Sequence, residues 1–373
     1  PVVRDCHLIV AATDEPAILI AGGMGARIFN NTFDGNAGNP TYVIQVTATG
    51  YTDLQVYGNT VDAAGRFFDG NVVNSVIRDN ECGTLNTSHG INVTGGSNNQ
   101  ILRNTLNVDV NDAAGIRFLS ANTQVSDNRI RTRAGDTDNH GIAADSGATN
   151  ATITENIIMS AGGAGIYLGD PSNVNFVIEG NQISNTGAGG INAGNGSNHQ
   201  IRNNVITGVS GGHGINSAGN NVIEGNRIIT VTGAANHGIN AAANDKVRNN
   251  IISGVEGRGI NAGAANIEVV QNEITAVGDH GIYVGGGNVL VSGNTIRNVT
   301  GTDDDGVHVA AGGVNTRIEN NTIENVTGGG AGVDVRADNQ TILENVILNV
   351  SAGVGIDLQT RSNLMVQGNR ITR

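Results

Sequence analysis

Along the whole chain an Ile or Val is followed three residues later by Asn, and two residues after that by another apolar side chain. Ile178-Glu179-Gly180-Asn181-Gln182-Ile183 shows the unit, and Ile223-Glu224-Gly225-Asn226-Arg227-Ile228 repeats it with one change. The asparagines are Asn31, Asn59, Asn80, Asn104, Asn128, Asn156, Asn181, Asn204, Asn226, Asn250, Asn272, Asn294, Asn321, Asn345 and Asn369, with neighbours 21 to 28 residues apart. The row three residues before them, from Ile28 and Val56 to Ile342 and Val366, is Ile or Val without exception. A period of this length marks one supersecondary unit that cannot bury its apolar face alone and must stack on copies of itself.

The units are too short and too rich in β-branched residues for helices, and no 3.6-residue periodicity runs through them. Between Ile201 and Val222 the pattern predicts three short strands: Ile201-Arg202, Val205-Ile206-Thr207 and His213 to Ser217, with turns at Asn203-Asn204, Gly208–Gly212 and Ala218–Val222. Such strands are unstable singly and stable as ladders. The expected fold is all-β, a single-stranded parallel β-helix of about 15–16 coils with three parallel sheets, read as one domain over residues 1–373. Asn181, Asn204, Asn226, Asn250, Asn272, Asn294, Asn321 and Asn345 should point inward as a buried ladder, each amide bonding the coils above and below. Gly, Asn or Asp precedes the ladder Asn in eleven coils (Asn30, Gly58, Asp79, Asp127, Gly180, Asn203, Gly225, Asn249, Gly293, Asn320 and Gly368), which suits a left-handed corner. Extra residues fall before the Gly-Ile strand at Asp136–Asn139 and Thr302–Asp305, and after Asn31 at Asn36–Pro40. The first coil carries Cys6 in the ladder position, and no capping helix is legible at either end, so the chain reads as a module or a piece of a longer protein.

Composition narrows the partners. The net charge of −13, with 20 Lys and Arg and no run of basic residues, argues against nucleic acid. No apolar stretch is long enough for a membrane helix. Cys6 and Cys82 lie three coils apart, roughly 14 Å at about 4.8 Å per coil, and are expected to be two buried free thiols.

These coils resemble the right-handed parallel β-helix repeat proteins of the pectin-lyase-like superfamily, over about Val2 to Ile371. The resemblance implies right-handedness and a scaffold that hosts lyases, hydrolases, epimerases and adhesins alike. The catalytic motifs of its pectate lyases and polygalacturonases are not found here. A single G-G-x-G-x-D, Gly329 to Asp334, stands without the tandem copies that calcium binding by that motif needs.

Candidate chemistry gathers in the Gly-Ile strands. His89, His140, His213, His237 and His280 share one phase, two residues before the inward Ile, with Arg258 and Asp305 at the same phase. The residue after that Ile forms a second row: Asn192, Asn216, Asn240, Asn261, Tyr283, His308, Asp334 and Asp357. His280, Tyr283, His308, Arg258 and Asp305 would supply a base, an acid and a cation to neutralise a uronate carboxylate during α-proton removal. Against this, five repeats of His suggest a rung rather than a site, the short turns should not wall a groove, and aromatic platforms are scarce. Asp303, Asp304 and Asp305, and separately Asp136 and Asp138, are candidate calcium ligands, and no other cofactor is required. The expected function is a secreted or cell-surface (or periplasmic) structural or adhesive rod, roughly 75 Å long. It would associate with itself through uncapped ends or flanking domains, or with acidic polysaccharide. The alternative is a lyase or C5-epimerase acting on an acidic glycan.

Overall fold

The computed structural model describes residues 1–9, 15–35, 41–351 and 353–372, so the expected insertion at Asn36–Pro40 lies outside the described residues. Every regular element among them is a β-strand. Two compact units divide the chain, Pro1–Ala188 and Gly189–Arg373.

Each unit is a parallel β-helix with three sheets. Sheet A holds the strand before the ladder Asn, sheet B the strand after it and sheet C the Gly-Ile strand. In the second unit one coil runs through Gln200–Arg202, Val205–Val209 and Ile215–Ser217, one to each sheet, as the repeat predicts. Pairing is in register from coil to coil: Ile223 lies beside Val247, Val247 beside Val269, and Val269 beside Val291. The first unit pairs Ile77 with Ile101 and Ile101 with Val125 in the same way.

The core follows from this register. Ile223, Ile228, Ile239 and their equivalents in neighbouring coils are fully buried. Burying each such side chain contributes about 1.5–3 kcal/mol. The ladder Asn turns inward as expected. Asn250 accepts from the Asn226 backbone N–H at 2.9 Å and donates through Nδ2 to Ile223 O at 2.9 Å and Asn272 Oδ1 at 3.0 Å. The bond from the Asn226 N–H satisfies a corner peptide that no sheet reaches. Cys6 takes the ladder position of the first coil, donating its N–H to Asn31 Oδ1. Cys82 is buried, but Cys6 is exposed, because no coil covers it in the structure.

Two rules of the repeat receive physical reasons. The residue before each ladder Asn has φ between 52 and 69°, not only at Gly, Asn and Asp but also at Arg103, Glu155, Gln271 and Glu344. The corner is therefore imposed by the stack, at a cost of about 1–2 kcal/mol where the residue has an ordinary side chain. The Gly before the inward Ile has a different cause. A Cβ on Gly281 would lie 2.5 Å from Gly306 O and 2.5 Å from Ile296 Cγ2. The strand passes too close to its neighbours for any side chain.

Candidate functional site

The His row occupies the turn into sheet C. Each imidazole accepts, through Nδ1, the backbone N–H at the same phase of the next coil. His89 takes Ala114 N at 2.9 Å and His140 takes Ala164 N at 3.0 Å in the first unit. In the second, His213 takes His237 N at 2.9 Å, His237 takes Arg258 N at 3.3 Å and His280 takes Asp305 N at 2.9 Å. An acceptor nitrogen must be unprotonated, so these are neutral rings. Burial lowers the pKa of His89, His237 and His280 to about 4, and lowers those of His140 and His213 as well. Asp305 continues the rung in carboxylate form, its Oδ1 accepting Ala331 N at 2.6 Å.

The outward row on sheet C starts as a second asparagine ladder: Asn216 donates to Asn192, Asn240 to Asn216 and Asn261 to Asn240, at 2.7–3.1 Å. At Tyr283 that ladder stops. Register places Tyr283 beside His308, His308 beside Asp334 and Asp334 beside Asp357. His308 is the one member of the histidine set here with a different job. Its Nδ1 lies 2.8 Å from Asp305 Oδ2 and 3.1 Å from Asp334 Oδ2, all three side chains being buried. Burial opposes the charged ring, but the two carboxylates outweigh it and raise the His308 pKa. Asp334 also accepts from Arg336 Nε at 2.7 Å; burial pushes its pKa up, and His308 and Arg336 bring it below the usual carboxylate value.

The structure brings together all five residues that the sequence nominated. Arg258 lies over the Tyr283 ring, its Cζ 3.6 Å from the centroid. The His280 and His308 rings stack at 4.4 Å, and Tyr283 and His308 at 5.5 Å. Sequence reasoning left out Asp279, Asp334 and Arg336. Asp334 was visible as an outward-row residue, but nothing in its spacing distinguishes an ion-pair partner from a rung. Beside the cluster, Asp303, Asp305, Asp334, Arg336 and Asp357 line a cavity of about 680 Å³.

Of the acidic triplet, Asp303 and Asp305 line that cavity. Asp304 lies 3.6 Å from His280, and burial together with the nearby Asp279 raises its pKa to about 6. Among the described residues, three groups have donor atoms close enough for one cation: His280–Asp305–His308, Asp279–His280–Asp304 and Asp112–Asp136–Asp138. In the first, His280 Nδ1 and both Asp305 oxygens are already engaged, so a cation there would displace existing bonds. In the third, Asp136 caps its own loop, accepting from Asp138 N at 3.0 Å.

The family described as "Right handed beta helix region" matches residues 140–261 and 237–373. No curated protein matches the chain. Similar solved structures include the A-module of the mannuronan C-5 epimerase AlgE6 of Azotobacter vinelandii, at 16% identity and TM-score 0.35, covering 94% of this chain and 91% of that one. The Streptococcus pneumoniae surface protein and adhesin PfbA is 14% identical, with TM-score 0.40 and coverage of 96% and 91%. The alginate lyase AlyF-OU02 in complex with G6 is 12% identical, with TM-score 0.47 and coverage of 92% and 83%. Likeness at this level says nothing about activity. No helix among the described residues is long and apolar enough to cross a membrane.

Proposed function

The chain belongs to the right-handed β-helix family, and we propose that within it this protein serves as a structural and adhesive module of the cell surface or the secreted space. The observation that carries this reading is the histidine row. Five imidazoles at one phase each hold the next coil's amide, a coil-to-coil task that recurs along the row, whereas catalysis needs its base once. Polar side chains in these rows are spent on coil-to-coil bonds, and such bonds make each unit stiff.

A second reading, lyase or C5-epimerase chemistry on an acidic glycan, is favoured by one observation: Tyr283, His308, Arg258 and Asp305 converge where the outer ladder stops. Its weakness is electrostatic. Two carboxylates favour the charged form of His308, which weakens it as a base, and Asp279, Asp303, Asp304, Asp334 and Asp357 repel a uronate. The test is to incubate the full chain with alginate, pectate and glycosaminoglycans. Ultraviolet absorbance would report unsaturated products, and proton NMR would report inversion at C5. The expected result is binding or assembly without turnover. Turnover that disappears in His308→Ala would overturn the structural reading.

A further inference from the structure

Despite its acidity, the chain sets three arginines together at one strand of sheet B in the first unit. Arg129–Thr132 reads R-I-R-T, and Arg133 follows. Ile130 and Thr132 are buried while Arg129, Arg131 and Arg133 are exposed, so strand alternation sets the three guanidinium groups on the outer face. Their spacing along the strand is about 6.6 Å. A search for basic runs misses them, because buried residues interleave.

What marks the strip is lack of internal partners. Arg78 and Arg103 are bonded to Asp79, and Arg117 to Asp145. The side chains of Arg129 and Arg131 make no hydrogen bond or ion pair among the described residues, and Arg133 pairs with Asp109 only at 4.0 Å. Nor is the strip flat. Two hollows of about 330 and 230 Å³ adjoin it and share Asn107 and Arg131. Register puts Thr105 and Asn107 on the strand before and Met159 on the strand after, with Ser160 at the rim.

We propose that this strip binds an anionic polysaccharide, carboxylated or sulfated, laid along the strand. The guanidinium forks take successive acid groups in bidentate fashion, and Thr105, Asn107 and Ser160 offer hydroxyl and amide groups to sugar hydroxyls. Nucleic acid fits less well, since single strands require aromatic rings for base stacking and none lines these hollows. A lipid surface would need apolar side chains to insert, and only Met159 is at hand. With a net charge of −13 the chain repels polyanions at long range, so recognition here is short-range and weakened by salt. The inference names the partner of the adhesive reading and rests on it.

The test uses the full chain on immobilised heparin, chondroitin sulfate, alginate and pectate, with neutral dextran, duplex DNA and phosphatidylserine vesicles as comparisons. Wild type should bind the acidic glycans above all comparisons, and the sulfated and carboxylated arms identify the acid group. The triple substitution Arg129→Ser, Arg131→Ser, Arg133→Ser should lower that affinity about tenfold or more with unchanged circular dichroism and melting. The triple Arg→Lys variant should recover only part, because Lys keeps the charge without the fork. Equal binding by wild type and the Ser variant overturns the strip and leaves the adhesive reading standing. Tighter binding to DNA or vesicles than to glycans overturns the strip's assignment to glycan. Depolymerisation of a glycan whose affinity depends on the strip supports the strip and overturns the adhesive reading.

Discussion

His308 Nδ1 lies 2.8 Å from Asp305 Oδ2, while Asp305 Oδ1, on the same carboxylate, accepts the Ala331 amide at 2.6 Å. One side chain thus serves as a rung of the coil stack and as the counter-ion of the only imidazole in this cluster that is not a rung.

Opposite pH dependences should follow for the two kinds of histidine. The folded pKa of His308 is raised, so its contribution is complete below the unfolded value of about 6.5 and is lost as pH rises through the folded pKa. Melting temperature should therefore fall as pH rises above about 6.5, and His308→Gln should flatten that part of the profile measured by circular dichroism.

The rung histidines run the other way. His237 and His280 have folded pKa values near about 4, so their contribution is complete above about 6.5 and fades as pH falls toward 4. Protonation removes the acceptor for the Arg258 and Asp305 amides. His237→Gln should lessen acid sensitivity in thermal melts.

Asn250→Ala should lower the guanidinium midpoint sharply. It strands the Asn226 N–H inside the coil, costing about 1–3 kcal/mol for a buried group left unsatisfied. Asn266→Gly is the contrast. That residue belongs to an exposed asparagine ladder with Asn244 and Asn288, and Gly keeps its left-handed backbone, so the change should stay within about 0.5 kcal/mol.

Gln271→Gly should stabilise the second unit by about 1 kcal/mol, since Gln271 holds φ 56° at a corner where other coils use Gly. Gly281→Ala should destabilise it by about 1–3 kcal/mol through the clash with Gly306 O and Ile296. Paired denaturation midpoints check both signs.

The coil plan was legible because its signals are local and repeated. Ile three residues before Asn, and the Gly or Asn at each corner, report backbone geometry that every coil must satisfy. The nominated cluster was legible only as a phase: His280, Tyr283 and His308 could be placed on neighbouring coils, because register converts a sequence offset into adjacency. The exposed ladder through Asn244, Asn266 and Asn288 went unseen, since an asparagine at a turn looks the same whether or not it bonds its neighbour.

By itself, then, the sequence determined a stack of three-stranded coils with an apolar interior and an internal asparagine spine, because period and side-chain alternation are properties of the chain. Only the tertiary structure decided which polar residues are spent. It assigned His213, His237 and His280 to amides of the next coil, gave His308 to two carboxylates, and left the side chains of Arg129 and Arg131 without partners among the described residues. Those outcomes depend on distances between side chains on different coils, and no spacing along the chain specifies them.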